Sequence, residues 1–146
     1  MFLEGKERWQ AVAFTAVLIV AIAGVYAATL ATQPAPVTPS VVHAAMLEVQ
    51  GGSWTIRYRP DVTTNNTAFG ILREASERLG FPLAYVPYEI PNGIFVTAIN
   101  GSTNGDGGSY WQFWVNGDYG TVAADHRALH DGDAVLWTFS VPREGG

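Results

Sequence analysis

The sequence predicts an α+β domain that is preceded by a single N-terminal transmembrane helix. Three observations support this class. An apolar run near the N-terminus is long enough to cross a bilayer, one later segment has the spacing of an amphipathic helix, and several short segments have the alternation or aromatic content of strands. In a chain of 146 residues this combination indicates one globular domain in which a helix packs on a mixed sheet.

Residues 9–31 form the predicted transmembrane helix. The segment from Ala11 to Ala31 carries no charged residue, and about 20 residues at about 1.5 Å per residue cover the roughly 30 Å of bilayer hydrocarbon. An aromatic residue at its start suits the membrane interface. The side chains expected to form the membrane anchor are Trp9, Phe14, Leu18, Ile22 and Tyr26.

The charges around this helix predict its orientation. Lys6 and Arg8 precede it, and no Lys or Arg follows until Arg57, so the positive-inside rule places residues 1–8 in the cytoplasm and the later domain in a periplasmic or extracellular space. A cleaved signal peptide is the alternative, because Val25-Tyr26-Ala27 could serve as a cleavage site. A signal core is usually only about 7 to 15 residues, which favours a retained anchor in the cell (inner) membrane.

Residues 32–44 are predicted to be a proline-rich linker, and residues 45–146 to be the exoplasmic domain. The stretch from Thr32 to Ser40 contains three prolines and no charge. This composition is typical of an extended, semi-rigid spacer.

Composition and charge exclude several functions. A net charge of −5 with only 8 Lys and Arg argues against a nucleic-acid partner, because phosphate binding needs clustered positive charge. The absence of cysteine excludes disulfides, thiolate nucleophiles and thiolate metal sites. No nucleophile stands with an identifiable base and orienting acid, so we expect a protein that is not an enzyme and has no cofactor.

The first elements of the domain are a hairpin and a helix. Residues 41–50 and 53–59 flank Gly51-Gly52, and the second stretch alternates apolar and polar side chains as a strand does. The helix follows, because Asn66 or Thr67 can cap its first turn and Gly80 can end it. Its apolar face is expected to contain Phe69, Leu72, Ala75 and Leu79.

The rest of the domain is predicted to consist of strands and turns. Four segments have strand composition, FPLAYVPYE, GIFVTAI after the turn Pro91-Asn92-Gly93, YWQFWV and AVLWTFSV. Between the second and third lies the glycine-rich stretch from Asn100 to Ser109, which should be an exposed, mobile loop. Asn116-Gly117 and Asp131-Gly132-Asp133 are turn sequences whose role is structural rather than calcium binding.

The strand YWQFWV is the main candidate for a binding surface. Side chains alternate across a strand, so Trp111, Phe113 and Val115 share one face, which we expect to be the core. The other face would then be a partly exposed stripe, of the amphipathic type found at interfaces and ligand pockets. The alternative is that residues 119–129 cover this stripe. The predicted partner- or ligand-binding residues are Tyr110, Gln112, Trp114 and Tyr119.

Two histidines raise the question of a metal site. His126 and His130 are four residues apart, so a helix would place both imidazoles on one face, near Asp125. Two ligands do not make a zinc site, and no third His or Cys is close in the sequence. We therefore expect no metal and interpret this segment as a short exposed turn.

The order of motifs resembles a known family. NNTAFGILREAS, PNGIFVTAING and YWQFWVNGDYGTVAADHRALHDGDAVLWTF follow one another as in the domain-of-unknown-function family related to the C-terminal β-grasp domain of transcobalamin and intrinsic factor. The resemblance covers roughly residues 53–141. It implies a β-grasp-like fold, in which a mixed sheet is packed on one helix. In the cobalamin carriers this domain covers one side of the ligand together with a helical domain.

Two functions follow as expectations. The first is a membrane-anchored interaction module, a structural or accessory subunit that docks on other subunits of a membrane complex. The alternative is an exoplasmic binding protein for a small ligand, with a corrinoid implied by the resemblance. The first is favoured because this sequence contains no helical domain that would enclose a ligand.

Overall fold

The computed structural model describes residues 5–89 and 92–143. The chain divides into two compact units, residues 1–33 and 34–146. In the first unit, helix α1 spans Gly5–Ala31 and therefore begins four residues before the predicted start of the transmembrane segment. This helix is long and apolar enough to cross a membrane, a property that it shares with signal sequences.

Helix α1 satisfies its own polar groups. The hydroxyls of Thr15 and Thr29 donate hydrogen bonds to the carbonyls four residues earlier, at 2.9 and 2.8 Å. Such bonds let a threonine sit in an apolar helix without an unpaired donor. No described residue of α1 is buried, and the five predicted anchor side chains, Trp9, Phe14, Leu18, Ile22 and Tyr26, are all exposed.

The second unit is an α+β domain. Its helix α2 spans Ala68–Leu79, and two 3₁₀ turns occupy Asp106–Gly108 and Ala124–His126. The described strands are β1 (Val42–His43), β2 (Met46–Gln50), β3 (Thr55–Tyr58), β4 (Val62–Thr63), β5 (Leu83–Glu89), β6 (Asn92–Ile99), β7 (Ser102–Thr103), β8 (Tyr110–Val115), β9 (Asp118–Tyr119) and β10 (Ala134–Ser140).

The described strands form three sheets rather than the single mixed sheet that the sequence predicts. The largest has the order β3-β2-β10-β8-β9, and the others have the orders β5-β6-β7 and β1-β4. Strand β10 pairs with β2 in parallel and with β8 antiparallel, so the largest sheet is indeed mixed. The division arises because β6 does not pair with β8, although the two strands are close enough for residue contacts.

Both hairpins expected in the sequence are present as strand pairs. Strands β2 and β3 pair antiparallel across the Gly51-Gly52 turn, with Leu47 opposite Tyr58. Strands β5 and β6 also pair antiparallel, from Leu83 opposite Ile99 onward. The turn predicted at Pro91-Asn92-Gly93 falls partly outside the described residues, because residues 90 and 91 are not among them.

Helix α2 begins and ends where its capping residues predict. The Thr67 hydroxyl accepts a hydrogen bond from the Gly70 amide at 2.8 Å, and Gly80 takes the left-handed conformation at φ 76° that closes many helices. Phe69, Leu72 and Ala75 are buried as predicted. Leu79 is not, because it lies at the last residue of the helix and is 53% exposed.

The glycine-rich loop is largely exposed, as predicted, and it is hydrogen-bonded to its neighbours; its mobility stays a prediction. The Asn104 side chain donates to the Val96 carbonyl at 2.9 Å and accepts from the Trp111 amide at 2.8 Å. The Trp111 indole donates to the Ser102 carbonyl at 2.8 Å. Asn104 therefore links β6 to β8 where the two strands do not pair directly.

The proline-rich segment that follows α1 packs on the domain. The buried Asn66 amide donates to the Thr38 carbonyl and to the Ser40 hydroxyl, both at 3.0 Å. The His126 ring donates from Nδ1 to the Ala35 carbonyl at 3.1 Å. Strand β1 follows at Val42, within the stretch predicted as linker.

The Glu74 side chain of α2 is half-buried and accepts several hydrogen bonds from other parts of the domain. Its carboxylate accepts hydrogen bonds from the Tyr58 hydroxyl at 2.6 Å, the Asn65 amide at 2.6 Å and the Thr63 hydroxyl. Burial alone would raise the pKa of Glu74, but these hydrogen bonds outweigh burial and hold the pKa below its ordinary value. Burial and the Glu74 charge raise the pKa of Tyr58 to about 12.

We expect Glu74→Gln to lower the free energy of unfolding by about 1 to 3 kcal/mol at neutral pH, because the new amide presents a donor to groups that donate. Since the folded pKa of Glu74 is lowered, its stabilisation is complete above the ordinary carboxyl value and is lost as the pH falls through the folded value. The difference between variant and wild type should therefore shrink towards pH 3. Urea unfolding at several pH values measures it.

Glu77→Gln on the same helix is the matched control, since the Glu77 side chain is 70% exposed and contacts Arg73 at 3.8 Å. Its effect should stay within about 0.5 kcal/mol. A Glu74→Gln deficit that does not change with pH would show that the ionised carboxylate is not the stabilising species.

Candidate functional site

The five-stranded sheet has one buried and one open face. Strands β2, β8 and β10 send alternate side chains into the core, and the strand neighbours of these residues point the other way. Trp111, Phe113 and Val115 are 7%, 8% and 0% exposed, which confirms the predicted inner face of β8. The opposite face of the sheet is therefore the surface that the domain presents.

Strand register places five side chains of the open face in one row across the sheet. Cross-strand pairing runs from Arg57 to Glu48, then to Leu136, Trp114 and Tyr119. We call these five residues the central row. Its charged end lies on β3 and β2, and its apolar, aromatic end lies on β10, β8 and β9.

A second row of polar side chains runs beside the central row. The same pairing aligns Thr55, Gln50, Thr138 and Gln112, which we call the polar row. The Gln112 amide donates to the carbonyl and hydroxyl of Ser140, at 3.3 and 3.2 Å. These amides and hydroxyls could form hydrogen bonds with a ligand that lies on the sheet.

A groove of about 1040 Å³ lies on the open face. This volume is at the upper end of the size usual for sites that bind small molecules and cofactors, which is about 300 to 1,000 Å³. Apart from the central row, its lining combines apolar side chains with arginines and polar groups. The additional lining side chains include Met46, Gln50, Arg59, Gln112, Thr138, Ser140, Val141, Pro142 and Arg143.

The aromatic end of the groove is built by a tight hairpin. Trp114 and Tyr119 pack edge to face, with ring centroids 5.4 Å apart. The turn between them has Asn116 at φ 50° and Gly117 at φ 83°, and successive positive φ angles of this kind are typical of two-residue hairpin turns. The Asn-Gly sequence therefore has the structural role that the sequence predicts, and it aligns Tyr119 with Trp114.

Asn116 and Asp133 form a hydrogen-bonded pair that joins this turn to the start of β10. The Asn116 amide donates to the Asp133 carboxylate at 2.8 Å, and its side-chain oxygen accepts from the Ala134 amide at 2.9 Å. Asp133 also accepts from the His130 amide at 2.8 Å. Burial alone would raise the pKa of Asp133, but these hydrogen bonds lower it. Asp133 thus acts in turn structure, as predicted.

The charged end of the groove contains an ion pair. The Glu48 carboxylate accepts from the Gln50 amide at 2.6 Å and from Arg57 Nε at 3.0 Å. The hydrogen bond from Gln50, followed by that from Arg57, lowers the pKa of Glu48. Glu48 is therefore ionised at neutral pH, and its carboxylate forms an ion pair with the Arg57 guanidinium.

The four predicted binding residues share the open face. Tyr110 and Tyr119 are 43% and 54% exposed, and Gln112 and Trp114 are half-buried. Gln112, Trp114 and Tyr119 line the groove, whereas Tyr110 does not. Their role in binding remains a prediction.

The chain after Tyr119 leaves the stripe open. It passes to the core side of the sheet, where a Cβ on Gly120 would lie 2.2 Å from the Phe113 ring, and where Ala124 and Leu129 are buried. No residue from 120 to 129 lines the groove. The alternative in which residues 119–129 cover the stripe therefore does not hold for residues 120–129.

The two histidines do not come together. His126 is at the end of a 3₁₀ turn, and its side chain is 5% exposed and contacts Ala35. The His130 side chain, in contrast, is 81% exposed and lies 3.6 Å from the Asp133 carboxylate. The interpretation as an exposed turn was thus wrong for His126, which is covered by the proline-rich segment. Within the described residues, no group of three His, Cys, Asp or Glu could hold a metal ion.

Sequence reasoning missed the β2 and β10 part of the groove. Leu136 and Thr138 lie on the outer face of β10, and Glu48 and Gln50 on that of β2. Alternation in AVLWTFS indicates which β10 side chains point outward. It does not indicate that β10 lies between β2 and β8, and this placement creates the groove.

The chain is similar in fold to solved structures. A proposed metal-binding protein from Ruminococcus gnavus ATCC 29149 aligns with a TM-score of 0.51 and 24% identity, over 71% of this chain and 99% of that chain. Haptocorrin, solved in complex with Cbi, aligns with a TM-score of 0.54 and 16% identity, over 71% of this chain and 26% of haptocorrin. Among curated proteins, none matches this sequence.

A family model agrees with the resemblance seen in the sequence. The model for DUF4430, a domain of unknown function, matches residues 65–141, which is more than half of the 146 residues. The matched range contains α2, the β5–β6 hairpin, β8 and β10. The haptocorrin likeness shows that the two proteins share a fold over this region. The chain belongs to the DUF4430 family.

Proposed function

We propose that this chain is a non-enzymatic, membrane-anchored binding protein whose open sheet face holds a small ligand of the corrinoid type. The observation that carries this proposal is the groove of about 1040 Å³, with Trp114, Tyr119 and Leu136 at one end and the polar row beside them. An aromatic and aliphatic floor with a few hydrogen-bonding groups suits a large, flat ligand with polar substituents.

The identity of the ligand is taken from the family relation. Haptocorrin was solved with Cbi, and the transcobalamin-type domain of the cobalamin carriers covers one side of their ligand. In this chain the groove is likewise one-sided, because the described residues supply the sheet face and none of its described segments lies across it. A corrinoid is therefore the first ligand to test.

Helix α1 would hold the domain at the membrane. Its length and composition suit a span, and Lys6 and Arg8 before it favour an inward N-terminus and an exoplasmic domain. The domain would then meet its ligand in the periplasmic or extracellular space. Retention of α1 in membrane extracts washed with carbonate would support an anchor, and a shortened soluble chain would contradict it.

Cobalamin titration of the full-length chain in mild detergent tests this function. We expect cobalamin to co-elute with the protein in gel filtration and to quench tryptophan fluorescence, because Trp114 lies in the groove. Binding should saturate at one ligand per chain. If cobalamin neither co-elutes nor quenches at millimolar concentration, the corrinoid assignment is wrong.

A second candidate is an accessory subunit of a membrane complex, in which the groove meets another protein. The one-sided groove and the exposed rings of Tyr110 and Tyr119 favour it, since aromatic side chains are enriched at interfaces. Purification of the native protein in gentle detergent separates the candidates. A colourless complex with other subunits supports the accessory role, and a corrinoid absorbance spectrum supports the ligand-binding role.

A further inference from the structure

The groove carries positive charge in a domain that is otherwise acidic. From Pro34 to the C-terminus the sequence has six arginines and no lysine, against eleven Asp and Glu residues. Three of these arginines, Arg57, Arg59 and Arg143, line the groove, whereas Glu48 is the one acidic residue among its described lining. The groove therefore has a charge opposite in sign to that of the domain as a whole.

Two of these arginines form no close ion pair among the described residues, although the charge of Arg59 acts at longer range and helps to lower the pKa of Glu48. Arg57 is paired with Glu48 at 3.0 Å. Arg59 and Arg143 are both exposed, and neither makes an ion pair within residues 5–89 and 92–143. The described lining thus has a net charge of about two positive units, available to a molecule that enters the groove.

Strand geometry places charge and aromatic rings at opposite sides of the groove. The central row runs from Arg57 on the edge strand β3 to Trp114 on β8, which is three strand steps away. At about 4.8 Å per step, this separation is roughly 14 Å. Arg59 follows β3, so its guanidinium belongs to the same side of the sheet as Arg57.

We propose that the groove selects a ligand with an anionic group, a carboxylate or a phosphate, which lies against Arg59, beside the Arg57–Glu48 ion pair, while an apolar ring system lies on Trp114 and Tyr119. This inference rests on the proposed small-ligand function and adds a requirement for charge. A guanidinium donates paired hydrogen bonds to either anion, and a charge-assisted bond of this kind is stronger than a neutral one.

The ligand is a dissolved molecule rather than a membrane lipid. The polar row runs through the groove, where Thr138 offers a hydroxyl and Gln50 and Gln112 offer side-chain oxygens. An acyl chain would remove these groups from water without replacing their hydrogen bonds, which costs free energy. A ring system with polar substituents would satisfy them.

A pair of fluorescent probes tests the charge requirement on the full-length chain in zwitterionic lipid nanodiscs. 1-Pyrenebutyrate and its amide, 1-pyrenebutyramide, share one flat ring system and differ in charge. Wild type should bind the carboxylate about tenfold more tightly than the amide, as expected for a charge-assisted bond at a partly exposed site. The preference should fall as salt is raised from 0.05 to 0.5 M.

Arg59→Gln should remove most of the preference, because the variant lacks the guanidinium that pairs with the carboxylate; the ratio of the two probe affinities is the readout. Arg73→Gln is the control, since Arg73 lies on α2, contacts Glu77 and does not line the groove. The preference of this variant for the carboxylate probe should match that of wild type.

Competition by anionic-lipid nanodiscs would overturn the choice of a dissolved ligand. Equal affinity for both probes would overturn the charge inference alone, whereas failure of both probes and of cobalamin to bind would overturn the proposed function as well.

Discussion

Replacing Trp111 with alanine is expected to lower the free energy of unfolding by about 3 to 5 kcal/mol, the usual cost of deleting a large aromatic side chain from a core. Trp111 is 7% exposed, and its ring contacts those of Trp54 and Phe139, with centroids 5.9 and 5.1 Å away. Its indole also donates to the Ser102 carbonyl. Small domains are stable by only about 5 to 15 kcal/mol, so this variant should be close to unfolding.

Urea unfolding followed by circular dichroism measures this loss. Trp111→Phe is the milder control, because it keeps an aromatic ring in the core and removes the indole donor. It should cost less than the alanine variant. Wild-type stability in Trp111→Ala, together with unfolding of Trp114→Ala, would mean that the two faces of β8 have been assigned the wrong way round.

Trp114→Ala is expected to weaken cobalamin binding at least tenfold while the domain stays folded. The substitution removes the ring at the aromatic end of the groove and its edge-to-face contact with Tyr119. Losing that contact should cost about 0.5 to 1.5 kcal/mol of stability. Loss of an aromatic anchor in a binding site commonly costs 2 kcal/mol or more, and about 1.4 kcal/mol already corresponds to a tenfold change.

Tyr110→Ala is the matched control for Trp114→Ala. Tyr110 is on the same strand and the same open face, but it does not line the groove. Cobalamin affinity should change less than threefold in this variant. An equal loss in both variants would show that the whole face, and not the groove, is in contact with the ligand.

Local patterns predict much of this fold. The alternation of YWQFWV identifies Trp111, Phe113 and Val115 as core because only one face of that strand is largely apolar. The caps of α2 and the Asn116-Gly117 turn follow from hydrogen bonding and backbone conformation within a few residues. Such features need no information about distant parts of the chain.

The remainder depends on contacts between distant segments. Strand β10 lies beside β2, although Ala134 and its partner Met46 are 88 residues apart in sequence. The His126 side chain is only 5% exposed, and its ring contacts the proline-rich segment at Ala35, 91 residues earlier. Leu79 fits the apolar period of α2 but lies at its end, where it is 53% exposed. Periodicity shows on which face of a helix or strand a residue lies, but it does not show which other element packs against that face.

The groove was only partly predictable for the same reason. The sequence indicates Gln112, Trp114 and Tyr119, all of which line it. Glu48, Leu136 and Thr138 become part of the same surface only through the pairing of β2, β10 and β8. A binding site built on a sheet face is therefore harder to identify from sequence than one built within a single loop.

The central claim is that the open face of the five-stranded sheet binds the ligand, and the indole N–H signals of the five tryptophans test it most directly. The full-length chain, labelled with ¹⁵N and assigned by Trp→Phe variants, would be titrated with cobalamin. We expect the signal of Trp114 to shift in proportion to occupancy, while those of the buried Trp111 and Trp137 stay in place. Saturable shifts at Trp111 or Trp137 with Trp114 unchanged would contradict the account.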